Sequence, residues 1–359
     1  MIKKFADVLE IRNGKNQKAV ENPHGKYPIY GSGGLIGFAD DYICEANTVI
    51  IGRKGSINNP IFVEVPFWNV DTAFGLVADD RQILPQYLYY FCKHYNFEKH
   101  NKAVTIPSLT KTDLLEIQID IPDLNRQLDV IEKLQKIETI VGIREQQLNK
   151  LNELIKARFV EMFGDPKSNS FGFDKMMLKD TCKVVTGNTP SRSVAEYYGD
   201  YIEWIKTDNI GSGLLNPTKA TESLSEKGVE IGRTVDRNSI LMVCIAGSIA
   251  SIGRVCITDR MVAFNQQINA IIPKRYNILF LYVLLQISKD YLVEEINMAL
   301  KGILSKSKLE KKEFIVPPME LQNQFAEFVE QVDKSKVAVQ KSLDKTQLLF
   351  DSLMQKYFG

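Results

Sequence analysis

From Ile121 to Gly164 the chain reads IPDLNRQLDVIEKLQKIETIVGIREQQLNKLNELIKARFVEMFG. Ile137, Val141, Arg144, Leu148, Leu151, Ile155, Arg158 and Met162 alternate spacings of four and three, which is the a/d seam of a heptad repeat. Pro122 stands at the entry and Gly164 at the exit, with only Gly142 as a breaker between them. The pattern predicts one helix of about 40 residues, on the order of 60 Å long at ~1.5 Å per residue. Upstream, Leu124, Leu128, Ile131 and Leu134 fall in a different phase. The seam is therefore expected to slip by a short step near Leu134.

A weaker copy of this stretch occupies Val316 to Gly359, in register when 195 is added to each residue number. Pro122, Gln127, Glu132, Leu148, Lys150, Leu154, Phe163 and Gly164 recur as Pro317, Gln322, Glu327, Leu343, Lys345, Leu349, Phe358 and Gly359. The seam becomes Val332, Lys336, Val339, Leu343, Thr346, Phe350, Leu353 and Tyr357. A helix this long cannot bury its stripe on itself, and the obvious partner is the other copy. Where one seam position is polar its counterpart is apolar, Val141 against Lys336 and Arg144 against Val339. The expected seam is Ile137, Val141, Leu148, Leu151 and Ile155 with Val332, Val339, Leu343, Phe350 and Leu353.

The segments before the two helices also echo one another. FADVLEIRNGKN meets LKDTCKVVTGNT, placing Gly14 against Gly187, and VIIGRKGSI meets LMVCIAGSI. PQYLYYF meets LFLYVLL, and PSLTKTDLLEIQIDIP meets ILSKSKLEKKEFIVP. Short strands punctuated by Gly, Asn and Pro surround a helical segment in each. The order is unit, helix, unit, helix, a tandem repeat of a two-part element. The fold class is α+β. Two globular mixed α/β domains, residues 1–121 and 165–315, are expected to be separated by an antiparallel two-helix coiled coil of 122–164 and 316–359, with pseudo-twofold symmetry.

Composition narrows the function. Charged residues make up 25% and apolar residues 44%, with no apolar run of membrane-spanning length, so a cytoplasmic protein with no membrane contact is expected. Five cysteines without a CxxC pair and only three histidines argue against a metal site and for free thiols in a reducing compartment. No phosphate-binding loop, methyltransferase tetrapeptide or nuclease carboxylate cluster stands out, so no catalytic residue is assigned. The net charge of +1 leaves any nucleic-acid binding to local patches or to a partner.

Polar segments at matching places in the two units are what remain. The first unit offers Arg53, Lys54, Ser56, Asn58 and Asn59 on a turn, then Asn69 and Thr72. The second offers Lys206, Thr207 and Asn209, then Ser248, Ser251 and Arg254, then Asn265, Gln266 and Gln267. Arg and Lys match guanine O6/N7, and Asn and Gln match adenine N6/N7. Lys102, Ser108, Thr110 and Lys111, echoed by Lys301, Ser305 and Lys306, suit phosphate contacts that set register. The competing reading makes these ordinary solvated turns and the chain a coiled-coil adaptor that binds only protein.

Over nearly its full length the chain resembles the specificity subunit of type I restriction–modification systems. The resemblance is carried by YPIYGSGGLIG, VIIGRKGSINNPIFVEVPFWNVDTAF and IPSLTKTDLLEIQIDIPDLNRQ, and by VVTGNTPSR, YIEWIKTDNI, CIAGSIASIGRV and FNQQINAIIP. Both helices open with a version of the family's Pro-Pro-Leu-x-x-Gln signature, Pro122 to Gln127 and Pro317 to Gln322, with Asp123 replacing the second Pro in the first. The resemblance implies two target-recognition domains, each reading half of a split, asymmetric site in double-stranded DNA, with the helices as spacer. It implies a chain that binds no cofactor itself. Two modification (methyltransferase) subunits would dock on the helices and bring S-adenosylmethionine, and restriction subunits would join to cut DNA.

Overall fold

A computed structural model describes residues 1–101, 105–211, 213–294, 296 and 302–359. It resolves into two compact units, Met1–Gln146 with Gln340–Gly359, and Gln147–Val339. These boundaries cut through both long helices, so each unit takes a globular part plus half of each helix.

In the first unit Thr48–Gly52 is buried along its whole length, as a run of TVIIG without alternation should be in a central strand. It pairs antiparallel with Ala73–Ala78 on one side and Ile61–Val63 on the other. Leu9–Asn13 completes a four-stranded sheet at the far edge of Ala73–Ala78. A second sheet joins the hairpin of Tyr27–Gly31 and Gly34–Ala39 to Trp68–Asn69, which runs parallel to Tyr27–Gly31. The helix Pro85–His94 begins with its proline at the first turn, where no amide partner is lost. Its Tyr87, Leu88 and Phe91 enter a core with Val49, Ile51 and Leu76.

The second unit repeats this plan. Cys182–Thr186, Ile268–Pro273, Ile240–Val243 and Val255–Ile257 form a four-stranded sheet in the equivalent order. Ile202–Ile205 runs parallel to Val262–Phe264, matching the parallel pair of the first unit. This unit also has Ser223–Leu224 and the short helix Glu226–Ile231, and among the described residues its second sheet has five strands where the first unit has three. Gly14 and Gly187 are equivalent in space as in sequence. A Cβ on Gly14 would lie 1.8 Å from the Val70 carbonyl oxygen, and one on Gly187 2.2 Å from that of Asn265. Any side chain at either place would force these two backbone segments apart.

The long helices are Leu124–Phe163 and Met319–Phe358. In the first unit, Val130, Ile131, Leu134 and Ile137 from the start of one helix share a core with Phe350 and Met354 from the end of the other. In the second unit the end of the first helix meets the start of the second, with Phe159 and Phe163 against Phe325 at ring separations of 5.5 and 5.6 Å. The helices are therefore antiparallel partners. Ile137, Ile155, Val332 and Phe350 of the expected seam are buried, and Val141, Leu148, Leu151, Val339, Leu343 and Leu353 are half-buried. Two parts of the expected register are corrected. Leu124 and Leu128 are exposed at 37% and 49%, whereas Gln127 and Val130 are buried, because the globular part packs on that face of the first turns. Near the other end Phe159 and Phe163 replace Arg158 and Met162 as the fully buried residues, drawn toward Phe280 of the domain helix.

The shared glutamine of the two helix openings has a physical role. Gln127 is wholly buried. Its Nε2 donates to the carbonyls of Pro122 and Gln82, both at 2.9 Å, and its Oε1 accepts from Leu84 N at 2.8 Å. Gln322 repeats this with Pro317 O at 2.8 Å, Arg275 O at 3.5 Å and Asn277 N at 2.9 Å. Each clamps the first turn of a long helix to the residues just before the domain helix. No helix among the described residues is long and apolar enough to cross a membrane.

Candidate nucleic-acid interface

In the first unit the turn after Thr48–Gly52 carries Arg53, Lys54, Ser56, Asn58 and Asn59, all exposed. The carbonyl of Thr72 accepts from both Arg53 N at 2.8 Å and Lys54 N at 3.2 Å. Lys54 forms a bridge with Ser108, and Leu109 N donates to the Arg53 carbonyl at 2.9 Å. The structure thus brings the turn, Thr72 and Ser108 together. Asn58 is tied by its side chain to Asn96 and Phe97. Thr110 caps the short helix Lys111–Leu115, and Lys111 donates to the Ile11 carbonyl at 2.7 Å.

In the second unit Arg254 connects two loops, donating through Nη2 to Thr207 O at 3.2 Å and through Nε to Ser251 O at 3.3 Å. Gln267 donates to Ile245 O at 3.4 Å, and exposed Gln266 is bonded to Thr189. The ladder of Ile245–Ala246 with Gly302–Ile303 draws in the segment leading to Ser305, which caps the helix Lys306–Lys311 as Thr110 caps its counterpart. Ser248 is exposed beside this ladder. Lys306 lies 3.5 Å from Glu310. Lys102 and Lys301 lie outside the described residues.

Three expected readers are not surface groups. Asn69 is fully buried, donating to Ala73 O and accepting from the Cys44 thiol. Asn209, 6% exposed, caps its own turn through Lys206 N and reaches Thr218 and Lys219. Asn265, also 6% exposed, bonds Gln267 twice. A buried amide must satisfy its donors and acceptors internally, so these three hold loop shape and cannot reach a base edge as placed.

A group missed from the sequence stands beside these loops. Arg192 stacks over Tyr198 with 4.5 Å to the ring centroid and lies 5.2 Å from that of Trp204. Its Nη2 is 2.7 Å from Glu222 Oε2, and Lys206 Nζ is paired with the other oxygen of the same carboxylate. The hydrogen bond from Lys206 holds the Glu222 carboxyl below the usual range against the opposing pull of burial, and Arg192 adds to the lowering. Nothing in the spacing of Arg192, Lys206 and Glu222 announces the cluster, since it depends on Ser223–Leu224 pairing with Ile202–Ile205. Nearby, Arg260 grips Glu203 through two bonds of 2.8 and 2.9 Å, and these bonds lower the Glu203 carboxyl as well. Among the described residues no group of three or more His, Cys, Asp and Glu side chains could hold a metal ion. Both surfaces offer donors and acceptors in the forms that match base edges and phosphates.

The family model of the type I restriction modification DNA specificity domain matches residues 1–153 and 172–347. The chain belongs to this specificity family. The general role of the family is DNA sequence recognition. The type I restriction enzyme MjaIX specificity subunit of Methanocaldococcus jannaschii is 23% identical over 336 residues, 85% of this chain and 74% of that protein. The HindI specificity subunit of Haemophilus influenzae is 34% identical over 104 residues, 28% of this chain. That match spans 22% of the HindI subunit. Among solved structures, the type I restriction–modification S subunit from M. genitalium superposes with a TM-score of 0.61 at 16% identity, covering 100% of this chain and 96% of that one. A chain from a study of complex assembly and conformational transition of the type I R-M system gives 0.59 at 15% identity, covering 100% and 97%. These likenesses show that the fold is shared.

Proposed function

We propose that each unit of this specificity-family chain reads one half of a bipartite, asymmetric site in double-stranded DNA. The observation that carries the proposal is one scaffold used twice with different polar loops at its equivalent places. The turn after the central strand bears Arg53 and Lys54 in one unit and Ser248, Ser251 and Arg254 in the other. Two unlike readers on related scaffolds fit two unlike half-sites. The paired helices serve as the spacer that fixes the number of unread base pairs, and two modification subunits dock on them. Those subunits carry S-adenosylmethionine and the methyl transfer, restriction subunits add cleavage, and this chain contributes recognition without catalysis.

The net charge of +1 fits a subunit that shares its electrostatics. Neutralising several phosphates needs a strongly basic surface. The chain alone should therefore bind target DNA weakly at moderate salt, and tightly once modification subunits are added. Equal affinity with and without them, or equal affinity for target and random DNA in the full complex, contradicts the proposal.

A further inference from the structure

We propose that Arg192 reads a guanine in the half-site recognised by the second unit, with Glu222 and the Tyr198–Trp204 pair as its positioning groups. The inference rests on the recognition reading above and names one base contact within it. A surface arginine ordinarily samples many rotamers, and ordering it on binding lowers affinity. Here the ordering is already done. The guanidinium lies over Tyr198 at 4.5 Å and beside Trp204 at 5.2 Å, and Glu222 holds one end at 2.7 Å. The same two aromatics pin the loop that carries it, since Tyr198 Oη donates to Pro190 O at 2.7 Å and Trp204 Nε1 to Asn188 O at 3.3 Å. Yet 56% of the Arg192 side chain remains exposed.

Geometry favours a base edge as the ligand. Glu222 is shared between Arg192 and Lys206, so the cluster carries a net charge of +1 and draws a phosphate less than two free cations would. The O6/N7 edge of guanine is neutral and offers two acceptors at the spacing of the arginine fork. The adjoining Gln266–Thr189 pair continues the same polar strip, so the guanine would lie within a longer read sequence.

The test maps methylated positions on a randomised DNA library, using the chain assembled with its modification subunits and S-adenosylmethionine. Arg192→Ala should lower the preference for guanine at one position of one half-site on the order of 10- to 100-fold, with every other position unchanged. Arg192→Lys keeps the charge beside Glu222 but loses the fork. It should assemble as wild type and show the same positional loss, which separates readout from misfolding. An unchanged consensus in both variants overturns the assignment while leaving bipartite recognition standing. So does a uniform drop at all targets with a shallower salt dependence, the mark of a phosphate contact. A wild-type complex with no sequence preference overturns both.

Discussion

Replacing Gln322 by alanine tests how a domain is held on its helix. Gln322 is wholly buried, donates to Pro317 O at 2.8 Å and accepts from Asn277 N at 2.9 Å. Asn277 is itself the cap of the helix Ile278–Ile287, its side chain accepting from Leu279 N at 3.0 Å. Alanine leaves the Asn277 amide without a partner, a cost of about 1–3 kcal/mol, and strips Pro317 O of a donor. The emptied volume adds a cavity term, and together the loss should reach roughly 3–5 kcal/mol. That is a large share of an ordinary domain's stability of about 5–15 kcal/mol. Urea unfolding of the purified chain, followed by circular dichroism, reads the change directly. Gln322→Glu sharpens the test, because an ionised carboxylate still accepts from Asn277 N but faces the Pro317 and Arg275 carbonyls with no donor. Its folded pKa should be raised, so this variant should gain stability relative to wild type as pH falls. A Gln322→Ala shift within about 0.5 kcal/mol of wild type, the range of ordinary surface substitutions, refutes the clamp.

Phe159 lies 5.6 Å from Phe280 and 5.5 Å from Phe325, joining both long helices to the domain helix of the second unit. Phe159→Ala should cost about 3–5 kcal/mol in the same unfolding assay. Leu154→Ala, at a position 47% exposed, should change stability by about 0.5 kcal/mol or less. Glu203 titrates below its usual 4.5 because Arg260 bonds the ionised form. The native state then binds fewer protons than the unfolded chain, so this stabilisation is present above the ordinary carboxylate pKa and is lost as pH drops through the lower folded value. Glu203→Gln should lower Tm near neutral pH and flatten its fall below pH 4.5, and a wild-type slope in the variant would contradict the linkage.

The helices and the tandem plan were legible because periodicity survives wherever a stripe meets one constant partner. Ile137 and Ile155, with Val332 and Phe350 as counterparts, are buried as the heptad spacing requires. The register failed where a third element joins. Gln127 is buried and Leu124 exposed because the clamp to Gln82 and Leu84 occupies that face, a contact no helical period contains. The polar loops were legible as segments but not residue by residue. Asn69, Asn209 and Asn265 have the chemistry of base readers, and the folded loops consume that chemistry internally. Arg192 offered no pattern at all, since its ion pair with Glu222 is created by strands that meet only in the folded sheet.

The central claim is that each unit reads its own half of the target. Its most direct test exchanges residues 1–120 for the corresponding segment of another specificity-family chain, assembles the chimera with modification subunits, and maps the methylated positions. One half-site should change completely, while the other half and the number of base pairs between them stay as in wild type. Change in both halves, or in neither, would contradict the division of recognition between two units.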